Sequence, residues 1–207
     1  GCTLLLFRPQ EKEPYARLKY PEAYHIGNTF AMLVFGLKID EFEYAFQLDG
    51  PYDESRGLLF DKNNVLLDPF AKAVTGQRNW GERPESDEGF VYHARVVENN
   101  FDWGKMTFPE IPAEDLIIYE THVRGFSKDA SSGVTAGGTF EGLRQKIPYL
   151  KDLGVNAIGL LPIFEFDEME SARVVDGVQL YNYWGYNTVS FFAPNTSYSS
   201  VVEHNHE

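Results

Sequence analysis

Cysteine is nearly absent from this 207-residue chain. Cys2 is the only one, so no internal disulfide can form and a disulfide-stapled scaffold is excluded. Positive charge is also scarce: 18 Lys and Arg stand against 31 Asp and Glu, a formal net charge of −13. Nucleic-acid binders need clustered cations to displace counterions, so no nucleic-acid partner is expected. No apolar run approaches the roughly 20 residues of a membrane span. The most tempting one, Leu4 to Phe7, is stopped by Arg8 and Pro9, so no membrane partner is expected either. The start shows no charged segment leading into an apolar one, hence no visible signal peptide, and the expected location is cytoplasmic. Phosphate-loop, dinucleotide and nucleophile-elbow patterns are missing, so no cofactor is expected.

What remains is enough to fold. Hydrophobic residues make up 43% and aromatics 15% of the chain, which argues against disorder. Cys2 is read as a small buried residue opening a strand rather than a lipid anchor. The chain opens on Gly1 without a Met and stops abruptly after His204-Asn205-His206-Glu207. Both ends therefore look cut. His204 and His206 have the spacing of a metal pair, but no third ligand is evident and no metal is expected.

The first part has a β rhythm. Cys2–Phe7 is one strand candidate and Thr29–Leu37 a second. Phe42, Tyr44, Phe46 and Leu48 alternate with Glu43, Ala45, Gln47 and Asp49, which predicts one aromatic and one mostly polar face. His25 and His93 read as surface or satisfied residues of this β region. Short strands between turn signals fit part of a β-sandwich over residues 1–76 that lacks its first strands. Residues 77–114, with Pro109 and Pro112 near their end, read as a loop-rich connection.

From 115 to 207 the rhythm changes. A β-branched run from Leu116 to Val123 is followed by a Gly- and Ser-rich loop. Phe140, Leu143, Ile147, Leu150 and Leu153 then recur at helical spacing. Thr139 is a plausible N-cap and Gly154 a plausible residue just beyond the C-terminal cap, while Pro148 should kink the helix or divide it. Val155–Ile163 is the next strand. Strand, helix, strand predicts a parallel pair, and ligands bind beyond the C-terminal ends of such strands.

That rule selects three places. One is His122 with Arg124. The second is the acidic run Glu165, Asp167, Glu168 and Glu170, which could supply paired carboxylates but reads more simply as a solvated loop or ion-pair site. The third is the loop from Tyr181 to Asn187. Tyr181, Tyr183, Trp184 and Tyr186 could stack under the apolar faces of sugar rings while Asn182 and Asn187 bond to hydroxyls; the alternative is ordinary packing.

Four segments carry a resemblance: Asp68–Val74, Ile117–Phe126, Leu153–Ile158 with Leu161-Pro162, and Asn182–Asn187. Together they resemble isoamylase-type glycogen debranching enzymes of the α-amylase superfamily, across nearly the whole chain. The resemblance implies a multidomain fold, β plus α/β. It would consist of an N-terminal β-sandwich of the isoamylase carbohydrate-binding type followed by the first strands and helix of a truncated (β/α)₈ TIM barrel. Residues 115–207 fall well short of the roughly 250 that such a barrel needs.

The resemblance also implies a parent enzyme that hydrolyses α-1,6 branch linkages of glycogen, amylopectin or limit dextrin by a retaining mechanism. Tyr186 would stack on the sugar at the cleaved bond, with Tyr183 and Trp184 shaping that subsite. The catalytic carboxylates would lie on later strands, leaving this chain inactive alone, and Glu165, Asp167 and Glu168 are not promoted in their place. Gly159 stands where many relatives would carry Glu. The alternatives are a non-catalytic α-glucan-binding module, a related glucanotransferase or branching enzyme, and an interaction domain with an exposed parallel edge. Oligomeric state is left open.

Overall fold

A computed structural model of the chain describes residues 1–75, 79–82, 91–98 and 100–201. The described residues form two compact units. One takes 1–75, 91–97 and 190–193; the other takes 79–82, 98, 100–189 and 194–201.

The first unit is built on a five-stranded antiparallel sheet. Its strand order is Ala16–Lys19, Cys2–Phe7, Glu43–Leu48, Ala94–Arg95 and Ala73–Val74. Cys2 does open a strand, and it is buried. Pairing sets Leu5 opposite Ala45 and Phe7 opposite Glu43. Leu5, Phe7 and Ala45 form one apolar cluster with Val65 against it. Tyr44 faces the other way, with Leu67 and Tyr92, onto Ala71, Val74, Ala94 and Ala193.

The period of two over residues 42–49 is therefore real, and its mostly polar side is enclosed at Glu43 and Ala45 before opening to solvent at Asp49. Ala45 is fully enclosed, and Glu43 lies inside because it has partners. One Glu43 oxygen stands 3.1 Å from His93 Nδ1 and the other accepts the Gln10 N–H at 3.2 Å. The His93 ring also stacks on Phe7 at 3.7 Å. A carboxylate satisfied on both oxygens can be buried, whereas an unpaired one is strongly disfavoured.

Two expectations change in this unit. Only Thr29–Phe30 of the 29–37 candidate is strand, paired with His25–Ile26 in a small hairpin. Beyond it Leu33 and Phe35 are more than four-fifths exposed. An apolar run without alternation does not by itself identify a strand, and Gly36 turns this one at φ +79°. The second change concerns residues 77–114, expected to connect two parts. They supply the strand Ala94–Arg95, whose Ala94 belongs to the buried cluster around Val74.

In the second unit Ile118–Thr121 pairs in parallel with Ala157–Leu160, Ile118 opposite Ala157. The Asn156 side chain pins this register, accepting from Ile117 N–H at 2.7 Å and donating to the Asp115 carbonyl at 2.8 Å. Between the strands run α1 (Val123–Ser127), α2 (Phe140–Gln145) and α3 (Ile147–Asp152). Thr139 caps α2 by accepting the Gly142 N–H at 3.1 Å. The expected single helix divides at Lys146, with Pro148 in the first turn of α3, where a missing N–H costs nothing. The break also divides the apolar stripe: Leu143 and Leu150 are buried, while Ile147 and Leu153 are about half exposed. Gly154 follows at φ +91°, a conformation that disfavours residues with a Cβ.

Gly159 lies mid-strand with only ordinary van der Waals neighbours around the position of a Cβ, the nearest at 3.8 Å on Ile118. Gly159→Ala is therefore expected to raise stability by about 0.5 kcal/mol in denaturant titration, through a less flexible unfolded chain. Glu43→Ala strands both His93 and the Gln10 N–H. It is expected to cost about 2 kcal/mol in the same measurement.

Candidate functional site

The three places selected from the sequence meet in the second unit. His122 and Arg124 follow the first parallel strand, the acidic run follows the second, and the aromatic loop lies against both. The Asn182 N–H donates to the Glu168 carbonyl at 2.9 Å. His122 Nε2 lies 2.8 Å from the Tyr183 carbonyl, and the two rings stack at 4.2 Å.

His122 is buried, and its protonation follows from its partners. Its Nδ1 accepts the Gly125 N–H at 3.1 Å, which caps α1. An acceptor nitrogen carries no proton, so the neutral ring bears its proton on Nε2 and donates to Tyr183. Burial pushes the imidazole below its usual range, and the Arg124 charge pushes the same way, against the opposing effect of the Tyr183 carbonyl.

Two residues absent from the sequence reading complete the support. Trp80 lies parallel to Tyr198, with centroids 6.0 Å apart, and the Arg124 guanidinium lies over the indole at 4.6 Å. Tyr198 Oη is 3.2 Å from His122 Nε2. Val123, Leu143, Phe166 and Tyr198 form the buried apolar cluster beneath. No local pattern flagged Trp80 or Tyr198, since each is a single aromatic distant in sequence from the loop it supports.

Above this base the expected substrate-binding residues differ in role. Tyr183 is engaged with His122 and about one-third exposed. Trp184 meets His122 edge-on at 6.0 Å and is 55% exposed, while Tyr186 is 73% exposed. The last two present open ring surface. Between them Gly185 has φ +76°, and a Cβ there would run into the Phe166 ring.

Of the two readings of the asparagines, ligand contact or packing, the structure favours the second, since both amides bond within the protein. Asn182 Nδ2 donates to the Asp167 carbonyl and to Asn187 Oδ1, and Asn187 Nδ2 donates to Glu170. Their amides hold the loop in shape. The acidic run is solvated only in part: Glu170 is exposed and Asp167 half-buried, whereas Glu165 and Glu168 are both almost fully enclosed. Neither can reach a ligand lying on the aromatic face. Among the described residues no cluster of three or more His, Cys, Asp or Glu could hold a metal, and no helix is long and apolar enough to cross a membrane. His204 and His206 lie outside the described residues.

Comparison with known proteins decides the relationship. Rice isoamylase 3 (Oryza sativa subsp. japonica, chloroplastic) is 40% identical over 179 residues, covering 84% of this chain and 23% of that protein. Rice isoamylase 1, also chloroplastic, is 36% identical over 97% of this chain and 25% of its own length. The chain is a homologue of the isoamylase-type debranching enzymes. The glycogen operon protein GlgX homolog of Haemophilus influenzae is 33% identical across 97% of the chain and 30% of that protein. No family model matches.

This isoamylase homologue spans about a quarter of the length of the curated relatives it matches. Its fold is shared with pullulanases. The apo pullulanase of Paenibacillus barengoltzii superposes with TM-score 0.72 at 22% identity, over 99% of this chain and 30% of that one. The type I pullulanase of Bacillus subtilis strain 168, solved with maltose, gives 0.67 at 22% identity, over 98% and 26%.

A neutral, buried His122 fixes the sign of one pH effect. Its depressed protonation means the unfolded chain binds the extra proton, so stability is expected to fall as pH drops below about 6.5. His122→Asn should reduce that acid-side slope in melts recorded at several pH values.

Proposed function

We propose that the chain is part of a glycoside hydrolase that cleaves α-1,6 branch linkages in glycogen, amylopectin or limit dextrin, and that it contributes substrate-binding surface. The observation that carries this reading is the open ring surface of Trp184 and Tyr186. It lies beyond the C-terminal ends of the parallel strands, on a loop whose own polar groups are internally satisfied. Sugar rings offer apolar C–H faces to such surfaces. The bond from His122 to the Tyr183 carbonyl and the Tyr183–His122 stack fix the loop before any ligand arrives, which reduces the ordering cost of binding. The isoamylase relatives and the maltose-bound pullulanase support an α-glucan as the ligand.

In this reading residues 1–76 belong to a carbohydrate-binding β-sandwich, 77–114 lead out of it, and 115–207 begin a (β/α)₈ barrel. The apolar residues left open on the parallel pair, Ile118, Ile158 and Leu160, suit strands that further barrel elements would cover. Retaining hydrolysis needs a nucleophile and an acid/base carboxyl on opposite sides of the glycosidic bond, roughly 5 Å apart. Buried Glu165 and Glu168 do not fill those roles, so the chemistry is assigned to the rest of the parent enzyme. A cytoplasmic location is part of the same proposal.

A second reading, an α-glucan-binding module without chemistry, is favoured by the same exposed rings beside inaccessible carboxylates. Native gels with and without glycogen test the shared part. The chain should be retarded by glycogen, and Tyr186→Ala should weaken retardation about tenfold, a loss typical of one stacking contact. Unchanged mobility of the wild-type chain would refute binding. Release of reducing ends by the chain alone, lost in Tyr186→Ala, would refute the assignment of chemistry elsewhere.

A further inference from the structure

Glu165 and Glu168 lie close together in the interior of the second unit, 1% and 0% exposed. They are joined through Asn195, whose Nδ2 donates to Glu165 Oε1 at 3.2 Å, to Glu168 Oε1 at 3.3 Å and to the Phe166 carbonyl at 3.4 Å. Two ionised carboxylates so placed would repel in a poorly solvated space. The hydrogen atoms available around each one distinguish them.

Glu165 faces donors. The Phe166 N–H reaches Oε1 at 3.1 Å, the Thr196 N–H reaches Oε2 at 3.0 Å, and the Thr196 side chain bonds to the same carboxyl. It has the surroundings of an acceptor. Glu168 differs. Its Oε1 is 2.5 Å from Ser197 Oγ, and Ser197 Oγ is also 2.5 Å from Asn195 Oδ1. The Ser197 N–H donates to that same Asn195 atom at 2.9 Å, which identifies it as the amide oxygen. A serine hydroxyl has one hydrogen, and an amide oxygen has none to give. If Ser197 donates to Asn195, the short contact to Glu168 lacks a hydrogen unless Glu168 supplies it. Glu168 Oε2 has no hydrogen-bond partner among the described residues, a burial far more costly for an ionised carboxylate than for a neutral acid.

We propose that Glu168 is held as a neutral carboxylic acid, donating from Oε1 to Ser197 Oγ, and that this proton is the tie that positions the turn Asn195–Tyr198 beneath the aromatic site. Glu168 is a positioning residue. Its acid holds Ser197, Ser197 holds Asn195, and the turn they shape carries Tyr198, whose ring supports Trp80 and His122. The charged and titratable groups facing the acid are Glu165 and Asp167 of its own segment, Arg124 of α1, and the Tyr198 phenol. Burial raises both carboxyls, and the charge of Glu168 beside Glu165 and of Asp167 beside Glu168 adds to this. Arg124 faces Glu168 and favours a charge there, against burial and the Asp167 charge, while burial keeps the Tyr198 phenol protonated. The pair thus holds one proton and one charge at neutral pH, whatever ligand meets the aromatic face.

A carboxyl that keeps its proton in the folded state but loses it on unfolding stabilises the fold at low pH. That contribution fades as pH rises above about 4.5, the carboxyl's ordinary value. Above pH 6.5 this window is separate from the titration of His122.

Infrared spectra at pH 7 test the proton directly, because exposed carboxyls are then ionised. The wild-type chain should show the carbonyl stretch of a buried neutral acid. Glu168→Gln, whose amide can donate to Ser197 in place of the hydroxyl, should lose the band, and Glu165→Gln should keep it. Melts should agree: above pH 6.5 the wild-type unfolding constant should rise with pH, by up to tenfold per unit, and the rise should shrink in Glu168→Gln. Absence of the band in the wild-type chain overturns the proposal even if no variant folds. So does its persistence in Glu168→Gln with loss in Glu165→Gln. A gain in melting temperature on adding calcium, abolished in Glu168→Gln, also overturns it, because two ionised carboxylates would then share a cation instead of a proton.

Discussion

The bond between a neutral imidazole and a backbone carbonyl organises the second unit. His122 ends the first parallel strand and starts α1, so its ring has to satisfy the exposed N–H of a helix start on one side. That demand leaves a single proton on the opposite nitrogen, which the Tyr183 carbonyl accepts. A charged ring could not make the first bond, and a ring with its proton on Nδ1 could not make the second. Burial supplies the missing condition by disfavouring the cation. One side chain thereby ties a strand end, a helix start and an aromatic loop into one geometry. Trp80, Tyr198 and Arg124 pack around it as a supporting layer.

The aromatic loop follows from that constraint. Its asparagines could have been ligand groups by composition, but a turn that projects Trp184 and Tyr186 outward has to satisfy its own backbone and amides first. Asn182, Asn187 and Glu170 do this by bonding to one another and to the Asp167 carbonyl. Rigid support beneath and open rings above is the arrangement expected of a stacking surface, where binding energy is not spent on ordering the loop. The polar groups that read most readily as chemistry are thus structural, and the apolar surfaces are the part left available.

Much of this was legible in the sequence, for identifiable reasons. Parallel pairing, the Thr139 cap, the division near Pro148 and the meeting of three strand-end segments follow from periodicity and from the geometry of βαβ units. Burial of Glu165 and Glu168 was not legible, because four carboxylates in six residues look solvated until Asn195, Thr196 and Ser197 are placed against these two from some thirty residues away. Trp80 and Tyr198 were missed for the same reason: a supporting ring has no local signature. In the first unit the alternation around Ala45 was legible as a period, but which residues are enclosed was not, because the partners Leu5 and His93 that cover Ala45 and Glu43 lie far away in sequence.

The strand Thr188–Pro194 illustrates how a fold can resist being divided. Its middle, 190–193, belongs to the first unit, where Ala193 is fully buried and the Ser190 hydroxyl reaches the Ala71 carbonyl, while its two ends belong to the second. Residues nearly 120 positions downstream therefore complete the interior of the sheet that begins at Cys2. An excised polypeptide ending near residue 114 would expose Val74 and Ala94 where Ala193 had lain. The boundary between the units is thus a poor place for a recombination crossover, and shuffled chimeras of isoamylase-type sequences should survive better when both segments come from one parent.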